Sequence, residues 1–176
     1  MINQDKINKA LLFASVNHEG QKMKQPDVSY VAHLQGVCLE AVSGCLNFNL
    51  NVDLEKVILL ALLHDTIEDT NVSYSDISDN FDEDIADGVL ALTKNDELKY
   101  DEKMIDSLNR IKKQSVEVAI VKLADRIFNM KDIPSFWDDY KVELYKEEAK
   151  LILKELGYAN GYMARRLEEK ILNYKR

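Results

Sequence analysis

The residues best placed to do chemistry close the stretch "ALLHDTIEDT": His64, Asp65, Glu68 and Asp69, directly after seven aliphatic residues, Val57 to Leu63. On a helix His64 and Glu68 lie four residues apart, as do Asp65 and Asp69, so each pair shares a face. His64 and Asp65 are about 100° apart and still able to converge on one ion. Carboxylates carried into an apolar interior are costly unless they are paired, protonated or metal-bound. A helix end emerging into water also carries acids, and "EDT" alone fits that plain alternative. His-Asp directly behind seven apolar residues fits it less well.

A second segment, "VAIVKLADRIFNM", places Lys122, Asp125, Arg126 and Asn129 at i, i+3, i+4 and i+7, a single polar stripe on an otherwise apolar helix. By itself such a stripe reads equally as a solvated face. His33 lies among the apolar residues of "YVAHLQGVCLEAVSGCL", where a lone histidine is commonly a hydrogen-bonded core residue. Each feature taken alone has a bland reading.

The elements that must position these residues are helical, since nothing in the chain alternates for long with a strand period. A first helix, "INKALLFASVNH", is expected to stop at Gly20, and the polar stretch 19–29, with Pro26, to form a loop. The helix bearing His33 follows, with Val31, Leu34, Val37, Cys38, Ala41, Val42 and Cys45 on one broad face. Asp53 is expected to cap the helix that ends at His64, through its carboxylate on free N–H groups. Ser73 and Asp76 form a capping box, a helix is predicted over 81–93, and 95–99 is a polar break. "YDEKMIDSLNRIKK" follows, Ser115 caps the helix bearing Asp125, Pro134 marks a turn, and two amphipathic helices cover about 137–156 and 159–174. No internal repeat or second domain is visible. The expectation is an all-α, single-domain helical bundle over 1–176.

Bulk properties narrow the partners. The 176 residues suit one domain with a sizeable core. Lys and Arg total 23 against 31 Asp and Glu, a net charge of −8, which argues against broad binding to nucleic acid or membranes. An anionic ligand therefore needs a local basic pocket. The longest apolar run is far too short to span a bilayer, and "MINQDKINKA" has no apolar signal core, so a cytoplasmic location is expected. Cys38 and Cys45, seven residues apart on one helix, stand roughly 10 Å apart along its axis, too far for a disulfide. The acidic stretch "DNFDEDIADG" offers no register with calcium-loop spacing.

"YVAHL", "LLHDTIEDT" and "VKLADRIFNM" stand in the order and approximate spacing of the HD-domain hydrolases, and resemble most the alarmone hydrolase domain of the Rel/SpoT family and its stand-alone small hydrolases. The resemblance runs from about residue 11 to residue 156. It implies metal ligands at His33, His64, Asp65 and Asp125, holding one divalent ion, typically Mn²⁺ in that family. It implies an acid/base dyad at Glu68 and Asp69. The implied reaction removes the 3′-pyrophosphate from guanosine tetra- or pentaphosphate, (p)ppGpp, to give GDP or GTP. Lys22, Met23 and Lys24, in "GQKMK" where the family has "GQxRK", would belong to the nucleotide site, with Tyr30, Lys122, Arg126 and Asn129. His18 reads as a helix C-terminal residue outside the site.

The chain departs from the family pattern at Met23 in place of an arginine, at Phe128 in place of a histidine, and at "VSY" where Pro-Tyr is usual. These departures spare the metal set and bear on substrate choice. Two other readings remain beside alarmone hydrolysis: an HD phosphohydrolase of another nucleotide (ppApp, NADPH or a nucleoside monophosphate), and a non-catalytic nucleotide-binding regulator. The partner expected in each case is a small nucleotide.

Overall fold

The apolar run that ends at His64 forms the central helix of the protein. The structure, a computed structural model, describes residues 1–23, 27–48 and 51–176. The element order is α1 (Gln4–Asn17), α2 (Val31–Phe48), α3 (Leu54–Leu63), α4 (Thr66–Asp69), α5 (Tyr74–Asn80), α6 (Glu83–Leu92), α7 (Tyr100–Ile111), α8 (Val116–Asn129), α9 (Asp139–Leu156), a 3₁₀ turn (Gly157–Ala159) and α10 (Gly161–Asn173). Among the described residues no strand forms, and Lys22 and Ser29 make an isolated antiparallel bridge. The expected all-α bundle is what the chain adopts.

α2, α3 and α8 pack on one another in the middle, with α1 and α6 against α3 and with α9 and α10 against α8. α3 is apolar all round because it is surrounded: Leu59, Leu60 and Leu63 are all but completely buried, as are Ile120, Leu123 and Ile127 of α8. Each such side chain contributes about 1.5–3 kcal/mol on burial. No helix of the described residues is long and apolar enough to cross a membrane. Cys38 and Cys45 are both free thiols.

Helix ends set the direction in which the site residues face. The Asp53 side chain accepts from the Lys56 N–H, as its position predicts, and the Asp53 N–H donates to Glu117 at the start of α8. α3 and α8 thus begin together and run parallel, so that His64 and Asp125 meet at their far ends. Ser73 and Asp76 form the expected capping box. Ser115 occupies the N-cap of α8 without a capping bond from its side chain. The helix expected over 81–93 begins at Glu83, capped by Asp82, and the one expected from 137 begins after the Asp138 cap.

One difference bears on the site. His64 to Asp69 do not continue α3: it ends at Leu63, and α4 restarts at Thr66. The break is stabilised by side chains that take over the last carbonyls of α3, His64 Nδ1 bonding to Ala61 O and Thr66 Oγ1 donating to Leu63 O.

Gly36 lies where α2 meets α8, and a Cβ there would overlap the Phe128 ring. Alanine improves helix propensity over glycine by about 0.8–1.0 kcal/mol, whereas overpacking costs about 1–3 kcal/mol. Gly36→Ala is therefore expected to lower stability by roughly 1 kcal/mol net. Urea unfolding checks this; a stabilised variant would mean that Phe128 moves aside freely.

Candidate metal centre and active site

His33 lies in the first turn of α2, His64 follows the end of α3, and Asp125 lies four residues before the end of α8. Their ligand atoms all fall within 4.8 Å of one another. His33 Nε2 and His64 Nε2 are 3.3 Å apart. Asp65 Oδ2 stands 3.2 Å from the first and 2.9 Å from the second. Asp125 Oδ1 is 3.6 Å from His33 Nε2 and 3.9 Å from His64 Nε2. Both imidazoles are buried.

The donor set fits a divalent ion on the evidence of its own hydrogen bonds. His64 Nδ1 is 2.8 Å from the Ala61 carbonyl, which can only accept, so the ring proton belongs on Nδ1 and the Nε2 lone pair faces the cluster. Two imidazole nitrogens and two carboxylates are borderline-to-hard donors, suited to a first-row divalent ion with positions left for water or phosphate. Without an ion the same groups pair among themselves. Burial pulls the His64 imidazole down, yet the Asp65 and Asp125 carboxylates outweigh it and hold it at about 9. Burial raises Asp65, but His64 and His33 draw it well below the usual carboxylate range. Asp125 is also drawn down against burial, first by Lys122, whose ammonium lies 3.6 Å away. The Asn129 amide donates to Asp125 Oδ1 and fixes its rotamer.

Beside this cluster a cavity of about 600 Å³ opens, with Glu68 and Asp69 in its wall. Tyr30 joins the cluster to Asp69, its hydroxyl lying 2.6 Å from Asp65 Oδ2 and 3.1 Å from Asp69 Oδ2. Burial, then Asp65 and Asp69, push the Tyr30 phenol far up, so it stays a donor. Burial, Asp65 and Glu68 raise Asp69 as well, which brings it nearer to the range in which a carboxyl carries a proton.

Of the residues expected to face the nucleotide, Lys22, Met23, Tyr30, Lys122, Arg126 and Asn129 all line this cavity. Lys24 lies outside the described residues. Their side chains are not equally available. Lys22 is a rim residue paired with Asp27 at 2.7 Å. Arg126 is almost wholly buried, with its guanidinium 3.9 Å over the Tyr145 ring and bonded to Tyr145 O and Glu148. It braces α8 against α9. The polar stripe of α8 is thus not a solvated face: of its four residues only Asn129 is exposed.

Several cavity residues carry no motif. Lys94 reaches Glu68, while Tyr100, Trp137, Lys141 and Tyr145 line the end contributed by α7 and α9. His18 stands at the C-cap of α1 as expected, but it is buried and stacked on Tyr30, with ring centroids 5.0 Å apart. Its Nδ1 contacts Gln21 Oε1 at 2.8 Å, and the Gln21 amide donates to Asp69 O. Only the adjacency of "H" and "GQ" in the sequence hints at this bracing.

The HD domain model matches residues 10–162. The guanosine-3′,5′-bis(diphosphate) 3′-pyrophosphohydrolase MESH1 of Drosophila melanogaster is 28% identical over 170 residues, covering 93% of this chain and 92% of that protein. The bifunctional (p)ppGpp synthase/hydrolase SpoT of Escherichia coli is 30% identical over 148 residues, which are 81% of this chain and 20% of SpoT. The solved structure of a metazoan ortholog of SpoT that hydrolyses ppGpp superposes with a TM-score of 0.83 at 26% identity, over 98% of this chain and 97% of that one.

Proposed function

This chain belongs to the HD-domain family, and from that membership and the geometry of its site we infer that it is a metal-dependent guanosine-3′,5′-bis(diphosphate) 3′-pyrophosphohydrolase. It releases pyrophosphate from (p)ppGpp and leaves GDP or GTP. The observation that carries the reading is the convergence of His33, His64, Asp65 and Asp125 beside a cavity whose wall holds Glu68 and Asp69. The near full-length similarity to proteins that act on the same nucleotide supports it.

The four ligands would hold one divalent ion, which we take to be Mn²⁺. Such an ion lowers the pKa of water and polarises a phosphoryl oxygen, as hydrolysis at neutral pH requires. Glu68 and Asp69 orient the attacking water and take up its proton. Burial and its acidic neighbours raise Asp69, which suits it to carrying that proton. Tyr30 keeps the Asp69 carboxylate in line with Asp65. Lys122 offsets part of the negative charge of the ligand set, and Asn129 holds Asp125. The cavity is large enough for a nucleotide and draws its cations from separate elements, Lys22, Lys103 and Lys141 among them. That is how a protein of net charge −8 accommodates a polyanion.

The test is product release from a nucleotide panel with Mn²⁺. Pyrophosphate from ppGpp is expected; phosphate release from NADPH or a monophosphate would select another HD phosphohydrolase, and binding without turnover a regulator.

Met23 lines the cavity where the family has an arginine. A cation over a base is worth about 0.5–2 kcal/mol, and methionine offers apolar, polarisable contact without charge or directed donors. The protein should therefore accept adenine counterparts such as ppApp more readily than an arginine-bearing relative does. Met23→Arg is expected to raise kcat/KM for ppGpp several-fold at unchanged metal content. Rates for ppGpp and ppApp that are unaltered by the substitution would show that Met23 does not face the base.

A further inference from the structure

Glu68 sits on α4, which is only four residues long and follows a break in the backbone. So short a helix does not hold its own side chains in place; the anchoring must come from elsewhere. For Asp69 it comes from Tyr30 and Gln21. For Glu68 it comes from Lys94, two residues beyond the end of α6. The Lys94 N–H donates to Glu68 Oε2 at 2.9 Å, and the Lys94 ammonium donates to Oε1 at 3.0 Å.

We propose that Lys94 is a positioning residue for hydrolysis, gripping both oxygens of the Glu68 carboxylate with two donors and acting on the reaction through Glu68. The inference rests on the reading of Glu68 as one of the acid–base pair. The backbone donor is fixed by the C-terminus of α6, so it sets where the carboxylate lies. The ammonium then sets its plane, and charge assistance makes that second bond the stronger of the two. Burial works against the ammonium, but Glu68, and behind it Asp125 and Asp65, hold it charged. Together the two bonds keep an oxygen of Glu68 from turning toward the Asp65 and Asp125 carboxylates. A base that must meet a water within hydrogen-bond distance gains from this fixed aim.

Lys94 also lines the cavity, so a competing role is direct contact with a substrate phosphate. A double-mutant cycle separates the two. Lys94→Met removes the ammonium and keeps the stem. It is expected to lower kcat by about 10- to 100-fold, within the range of a general-base effect, with KM changed by less than about twofold. In a Glu68→Gln background the same substitution should cost less than about twofold, because the group it acts through is already disabled. Lys94→Arg, which keeps a charged donor, should restore most of the rate. An equal loss in both backgrounds, or a raised KM at constant kcat, would overturn the proposal and make Lys94 a substrate contact.

A second readout does not depend on turnover. In urea unfolding of the metal-free protein, the midpoint shifts of Lys94→Met and Glu68→Gln should sum to more than that of the double variant. Additive shifts would mean that no clamp exists. If the parent releases no pyrophosphate, the functional reading falls while the unfolding cycle still judges the clamp.

Discussion

Replacing His33 or Asp125 with alanine will empty the metal centre and abolish hydrolysis. Each removes a ligand atom from a cluster whose members lie within 4.8 Å of one another, and the partners left behind are already close enough to satisfy one another. His64 and Asp65 stand 2.9 Å apart and will collapse into an ion pair rather than wait for a metal. Lewis-acid stabilisation and activation of water are worth several kcal/mol, so turnover should fall by about 10³-fold or more, at about 1.4 kcal/mol per tenfold. Stability should fall too, because the ion's binding free energy is part of the folding free energy of the loaded protein. Elemental analysis after gel filtration, alongside thermal unfolding, is the measurement. Full metal occupancy in both variants would remove His33 and Asp125 from the ligand set.

Glu68→Gln should separate proton handling from metal binding. Glutamine has nearly the same shape, and its oxygen can still accept the Lys94 N–H that now meets Glu68 Oε2. Its amide cannot take a proton from water. The expected result is a fall in kcat of about 10²–10⁴ with metal content intact. The affinity of the variant for ppGpp should change little, since Glu68 meets Lys94 rather than an anion. If the glutamine variant works at the parental rate, Glu68 is a surface acid and the dyad reading is wrong.

These two experiments bear on a cluster of which the His64-Asp65 pair was already conspicuous in the sequence, for a physical reason. His64 and Asp65 follow seven aliphatic residues, and an ionisable pair at the end of so apolar a helix is too costly to leave without a partner. The helices were legible on the same footing, as period and caps are local: Asp53, and Ser73 with Asp76, occupy the caps their types suggest. The break between α3 and α4 was not legible. A helical period predicts continuation, and the interruption is decided by which side chains take the carbonyls of Ala61 and Leu63. Nor did the polar stripe of α8 declare that Lys122 and Arg126 are buried. Sequence spacing says that four polar residues share a face; only the packing of α9 shows what that face meets.

The sequence by itself determined a helical protein, its principal helices, and the types and order of the residues able to bind a metal and move a proton. The helices follow from periodicity and capping, which act within a few residues, and the site residues from motifs that resemble those of the HD-domain hydrolases. Only the tertiary structure decided which of the many lysines and aromatics join the site. Lys94 meets Glu68 across 26 residues and Arg126 meets Glu148 across 22, and no local pattern encodes such distances. Those contacts arise because α3 and α8 run parallel from the shared anchor at Asp53 and Glu117. The packing of the remaining helices around that pair then brings scattered polar groups to one mouth. The expected metal ligands come from the motifs shared with the HD-domain hydrolases, whereas their supports exist only where the helices happen to pack.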